Sequence, residues 1–140
     1  VTNGAVNLPA CYGVIHVGLP YIADLETLSI DTPTPNTSLD KKCLIKTVSL
    51  QVENTRGVWV GSRNPDEDPT NESSDLLWNL NEMKQRSFEN YDSGVDLLKG
   101  KMETIINSKW DNNGRVFLRQ VDPLPMTILA IAPEGILPFK

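Results

Sequence analysis

A chain of 140 residues with 39% hydrophobic and 22% charged side chains carries enough apolar material for one core and lies outside the compositions of disordered or fibrous chains. No apolar run approaches the roughly 20 residues of a membrane-spanning helix, and the first residues lack the basic and then apolar regions of a signal peptide. Thirteen Lys and Arg against 18 Asp and Glu leave a net charge of −5, which argues against the clustered basic surface of a tight nucleic-acid binder.

In chain order, the first expected element is a short strand over the β-branched run Tyr12 to Val17. Gly18, Leu19, Pro20 and Tyr21 then form a corner: Gly18 is able to take positive φ, Pro20 lacks an N–H, and Tyr21 offers an aromatic body with one polar end. Leu25 to Ile30 reads as the next strand, and Asp31 to Asp40, with Pro33 and Pro35, as an exposed loop. Alternation makes Lys42 to Asn54 a long strand, with Leu44, Val48, Leu50 and Val52 on one face and Cys43, Ile45, Thr47, Ser49 and Gln51 on the other. Lys46 is the one offender on the apolar face.

Asn54 to Gly57 reads as a turn with Gly57 in the left-handed region, returning into Val58 to Val60 as a hairpin or a bulged strand. The acidic stretch 63–75, bracketed by Pro65 and Pro69, has the composition of a mobile surface loop. Over Asp75 to Arg86, Leu76, Leu77, Leu80 and Met83 fit one helical face with Asp75 as cap, and a loop followed by a strand fits equally well. Asp96 to Ser108 supplies one or two strands. Asn113 and Gly114 are residues of a tight hairpin that would pair Trp110 with Phe117 and Ile106 with Val121, or, with a longer turn, set Asp111 against Arg115. Pro123 and Pro125 interrupt the ladder, Met126 to Ala132 reads as a strand buried on both faces, and the chain leaves through Pro133, Gly135 and Pro138. The fold class is therefore all-β and mostly antiparallel, a β-sandwich or barrel-like domain with at most one short helix.

Candidate chemistry is sparse. His16 is the single histidine and reads as a strand residue rather than a base. Asp66, Glu67 and Asp68 lack the spacing of a calcium loop and read as solvated charge. Asp24 and Glu26 share a strand face but have no evident cleft to make them a glycosidase pair. Trp59, Trp78 and Trp110 raise the alternative of a carbohydrate-binding β-module for host recognition, although strand tryptophans usually serve a core. Cys11 and Cys43 are expected to be reduced, and the sequons at Asn36 and Asn71 are discounted without a secretion signal. No cofactor or metal site and no catalytic residue is indicated.

Several blocks, in order, resemble the C-terminal region of tail-tube and nozzle (hub) proteins of short-tailed bacteriophages. They are Val17 to Tyr21 with Leu25 to Leu28, Lys41 and Lys42, Asn54 to Gly57, Glu82 to Arg86, Trp110 with Gly114 to Val116, and Gln120 to Pro125 with Ile128 to Ala130. The chain departs from that pattern at Thr32 to Leu39 and at 63–75. The resemblance implies a single β domain over 1–140 belonging to a longer tail protein, consistent with Val1 standing first and Met83 being the earliest methionine. It implies a non-catalytic virion protein assembled in bacterial cytoplasm, one subunit of a ring through which DNA leaves the capsid, in contact with copies of itself and with neighbouring tail or adaptor proteins. The acidic balance suits a conduit that does not hold DNA. Prolines at 33, 35, 65, 69, 123 and 125 guard strand edges, so this stretch alone is expected to be monomeric or weakly associated.

Overall fold

The computed structural model describes residues 4–8, 10, 11, 13, 15, 17–19, 21–30, 42–84, 96–110 and 114–136. Among them run seven strands: β1 Ala23–Glu26, β2 Leu44–Thr55, β3 Trp59–Gly61, β4 Asn81–Glu82, β5 Leu98–Ile105, β6 Phe117–Gln120 and β7 Ile128–Ile136. All pairings are antiparallel. They build two sheets, one in the order β1-β6-β3-β4 and the other in the order β5-β2-β7. The only helical element among these residues is a 3-10 turn at Pro65–Glu67, so the fold is of the expected mostly antiparallel all-β class, and of its two expected forms it is the sandwich-like one. No helix of the described chain is long and apolar enough to cross a membrane.

The core lies between the sheets. Val48, Leu50 and Val52 of β2 and Met102 of β5 meet Val60 of β3 and Leu118 of β6, with Val58, Val116 and Ile106 closing the cluster. Each such side chain contributes on the order of 1.5–3 kcal/mol when fully buried. β2 does not alternate without interruption. Ile45 stands opposite Gly135 and Thr47 opposite Glu134, so Lys46 is the extra residue of a β-bulge, and the side-chain phase changes across it. Cys43 and Ile45, expected on the face away from Val48, therefore join the core with it. Lys46 is exposed, and the offence on the apolar face disappears. A second irregularity falls between Val52 and Thr55, where Asn54 has φ of 47°.

Several expected connections differ. Asn54 to Gly57 joins no hairpin, because β2 and β3 belong to different sheets, and the turn with Gly57 at φ 74° is a corner that carries the chain across the sandwich. The Ile106 to Val121 pairing is also absent, since β5 and β6 are in different sheets. Gly114, at φ 50°, lies against Cys43 instead. Neither Gly13, Ile15 nor Val17 is in a strand, and the strand expected at Leu25 begins at Ala23 and stops at Glu26. Leu76 to Asn79 forms turns rather than a helix, followed by β4. β7 is an edge strand that continues through Pro133 to Ile136, with Leu129 60% exposed. It is not buried on both faces, and the edge position tolerates a residue without an N–H.

Leu50 is fully buried, so Leu50→Ala should cost about 3 kcal/mol in urea unfolding, whereas Leu129→Ser on the outer edge should stay within about 0.5 kcal/mol. Equal losses at the two sites would contradict the edge placement of β7. Cys11 is exposed and Cys43 buried, with no bond between them, and burial pushes the Cys43 thiol up from its ordinary range. Alkylation without reductant should therefore label Cys11 in the native protein and Cys43 only after unfolding; a disulfide-linked species would refute this.

Candidate functional site

β6 reads Phe117, Leu118, Arg119, Gln120, and all four are buried. Leu118 points into the core between the sheets. Alternation then places Phe117 and Arg119 on the outer face of the four-stranded sheet, and the 62–80 segment covers them: Leu80 lies against Gly61, and Arg119 bonds to Asn64, Asp66 and Leu76. The Arg119 side chain has no exposed surface. Its Nε and Nη2 donate to the two oxygens of Asp24, each at 2.8 Å. Nη2 also donates to Asp66 Oδ2 at 2.7 Å, and Nη1 to the Leu76 carbonyl at 2.9 Å. The guanidinium carbon sits 5.3 Å from the centre of the Phe117 ring, within cation–π range. The carboxylate of Asp24, with help from Asp66, raises the Arg119 pKa beyond its ordinary value, against the opposing effect of burial.

Asp24 and Glu26 do share a strand face, as expected, but each faces an arginine rather than the other. Glu26 pairs with Arg115 at 3.2 Å, so Arg115 serves β1, and Asp111 lies outside the described residues. Neither carboxylate is placed as a free acid or base. The acidic segment is also not loose charge. Asn64 caps the 3-10 turn by accepting from the Asp66 N–H, and the Asn71 amide donates to the carbonyls of Pro65 and Asp75. Asp75 accepts from the Leu77 N–H at 3.0 Å, so the expected cap forms on a turn instead of a helix. The Thr70 hydroxyl and N–H donate to Asp68 and, with the Asn79 amide, hold its carboxyl below the usual range.

A second cluster gathers many of the turn residues read from the sequence. The Tyr21 hydroxyl lies 2.8 Å from Gln120 Oε1 and 3.0 Å from the Leu124 carbonyl and donates toward both. The Gln120 amide in turn donates to the Arg56 carbonyl at 2.7 Å, and the Arg56 N–H to the Pro125 carbonyl at 3.2 Å. Gly18 is not a positive-φ residue here. Its role is contact, because a Cβ at that position would stand 2.5 Å from Pro123 Cβ. A Cβ on Gly57 would likewise meet Asp122. Thr55, fully buried, donates to the Thr127 carbonyl at 3.0 Å and accepts the Thr127 N–H at 2.8 Å. Gly18, Tyr21, Gly57, Pro123 and Pro125 thus meet at one corner. Leu19 projects away, 87% exposed, Gly114 is elsewhere beside Cys43, and Pro20, Asn113 and His16 lie outside the described residues.

Trp59 and Trp78 are half-buried, with the Trp78 indole donating to Thr70, and Trp110 is 47% exposed. Among the described residues no three His, Cys, Asp or Glu side chains come together as a metal site. Arg119 and Asn64 did not stand out in the sequence, and Gln120 did so only as the first residue of a block that carries the resemblance; for Arg119 the available signal was an arginine inside the apolar run Val116 to Val121. Comparison of the chain with protein-family models and with curated proteins finds no match.

Asp24 grips Arg119 with both oxygens and is 35% exposed, against 57% for Asp66. Asp24→Ala should therefore destabilise by about 2–4 kcal/mol and Asp66→Ala by about 1 kcal/mol, since only the first strips most of the compensation from a buried charge. Chemical denaturation that ranked them in reverse would sink this assignment. For Asp68, whose folded pKa is depressed, the contribution is fully present above its unfolded pKa and is lost as pH falls through the lower folded value. The Thr70 amide shift in an NMR titration should accordingly move at lower pH than a free aspartate titrates.

Proposed function

We propose that this chain is a structural, non-catalytic part of a short-tailed bacteriophage tail, within a nozzle or hub ring through which DNA leaves the capsid. One observation supports the reading above the others. Three of the blocks that carry the resemblance, Val17 to Tyr21, Asn54 to Gly57 and Gln120 to Pro125, are distant in sequence, yet their residues interlock at a single corner. The likeness thus falls on residues that fix how one segment crosses another. It does not fall on an aligned set of nucleophile, base and acid, which suits a protein whose task is shape and assembly. The β1 carboxylates Asp24 and Glu26 are engaged by arginines, and the net charge of −5 suits a surface past which DNA moves without adhering.

The partners in this reading are further copies of the full-length protein and adjoining tail proteins, assembled in the bacterial cytoplasm and retained in the virion. Gold-labelled antibody raised against the chain should decorate the tail end of purified virions, and averaged images should place this sandwich in a ring around the axial channel. Labelling confined to non-virion fractions of the lysate would overturn the proposal.

A further inference from the structure

β4 and β5 belong to different sheets, yet the Asn81 amide of β4 donates to the Ile105 carbonyl of β5 at 2.7 Å. The Asn107 amide in turn donates to Asn81 Oδ1 at 3.4 Å, so Asn81 braces the seam between the sheets. With two residues, β4 is too short to run along the eight of β5. Beside the seam lies an open depression of about 750 Å³, within the size range of small-ligand sites. Trp59 lines it from β3, Glu82 from β4, and Glu103 and Thr104 from β5. Val60 lies in the core, so alternation turns Trp59 to the outer face of its sheet, and its cross-strand partner Glu82 with it. Apart from Leu80 and Lys84, every lining residue lies in a strand. Ladder hydrogen bonds therefore hold the walls in one shape before any ligand arrives.

The lining discriminates by chemistry. Two carboxylates, Glu82 and Glu103, stand against one ammonium, Lys84, in a chain of net charge −5, which disfavours phosphates, sulfates and nucleic acid. A wholly apolar ligand would strip water from those three charges and return no hydrogen bond. A bare cation is poorly served, because Glu103 already accepts from the Ser49 hydroxyl at 3.3 Å and pairs with Lys101 at 3.4 Å. The ligand that suits is neutral, with hydroxyls to donate and C–H surface to stack. A pyranose ring has both, its C–H bonds on the faces and its hydroxyls around the rim. An indole offers such a face an apolar platform, and a carboxylate accepts hydroxyls through charge-assisted bonds.

We propose that the β4–β5 depression is a binding site for a neutral oligosaccharide, with Trp59 stacking on a sugar ring and the carboxylates of Glu82 and Glu103 accepting its hydroxyls. Of the three tryptophans, Trp59 is the one in the lining, whereas the Trp78 indole N–H is spent on Thr70. The site is additional to the tail reading and does not rest on it.

NMR titration of the whole isotope-labelled chain with neutral hexasaccharides of glucose, galactose and N-acetylglucosamine tests the site. At least one should move the Trp59 indole resonance and the amides of Glu82, Glu103 and Thr104, with a Kd on the order of 1 mM for so open a site. Glu82→Gln, at an exposed position, removes the charge and keeps the shape, while Trp59→Phe trims the stacking surface. Each should weaken binding about tenfold, and Trp110→Phe should leave it unchanged. Amide resonances of β6 and β7 report that each variant folds; where Trp59→Phe disturbs them, Glu82→Gln decides alone. A sulfated form of the same hexasaccharide should bind more weakly than the neutral one. The inference is overturned if none of the three sugars moves these resonances at about 20 mM, or if the shifts centre on Trp78 or Trp110. Wild-type affinity in a folded Glu82→Gln or Trp59→Phe variant, or tighter binding of the sulfated form, overturns it as well. Each of these failures leaves the tail reading to the virion images.

Discussion

The buried guanidinium of Arg119 is the constraint on which the outer half of this sandwich depends. Removing a cation from water costs several kcal/mol even after relaxation, so the position is tolerable only if acceptors are delivered to it. They arrive from two separate segments: Asp24 on β1, and Asp66 with the Leu76 carbonyl from the 62–80 segment. None of the three acceptors is a sequence neighbour of Arg119. Folding must therefore dock β1 and the 62–80 segment onto β6 together, and a structure that left either one undocked would leave a buried charge undercompensated. Specificity of arrangement, more than net stability, is what such a group supplies here. A well-packed apolar residue of similar volume can match or exceed a buried ion pair in stability, but it would not require two carboxylates in fixed places.

This also explains why the acidic loop is folded. Its composition gives little apolar surface to bury, which by itself favours disorder. What the loop has instead is a set of short polar side chains that bond to nearby backbone. Asn64, Asp68, Asn71 and Asp75 each close a local turn, and Arg119 ties the result to the sheet. Leu80 adds an apolar anchor at Gly61, where a Cβ would stand 2.5 Å from its Cδ2. Loss of conformational entropy in a polar loop is offset by many small local bonds plus a few deep attachments.

The all-β class, the long β2, the β5 strand and the left-handed Gly57 and Gly114 were legible in the sequence, because alternation and glycine conformation are local properties. What was illegible depended on which sheet each strand joins. The residues of Asn54 to Gly57 describe a sharp corner equally well whether the next strand pairs back or crosses the sandwich. Asn113 and Gly114 favour a hairpin in isolation, yet β5 and β6 take partners elsewhere, and tertiary packing overrides the local preference. Lys46 looks like an offender only in an unbroken strand; a one-residue bulge removes the conflict by changing the phase of Cys43 and Ile45. Met126 to Ala132 misled for a related reason: an apolar run means burial on both faces only if a layer covers each face, and in β7 Leu129 is 60% exposed. Arg119 was invisible because burial of an arginine is a consequence of partners that only the fold assembles.

The same ion pairs that secure β6 have an effect on the edge of the sheet. Soluble sandwiches commonly place charged side chains on an edge strand so that a neighbour cannot pair with it. β1 has two carboxylates in its four residues, a composition that looks protected. Both, however, are held by arginines that belong to β6 or its approach, and a carboxylate so engaged presents less charge to an approaching chain. The exposed large apolar side chains along the segment are Val17, Leu19, Tyr21, Ile22, Leu25 and Leu28. Internal charge compensation and edge exposure are thus one arrangement: satisfying the buried Arg119 takes Asp24 away from edge protection.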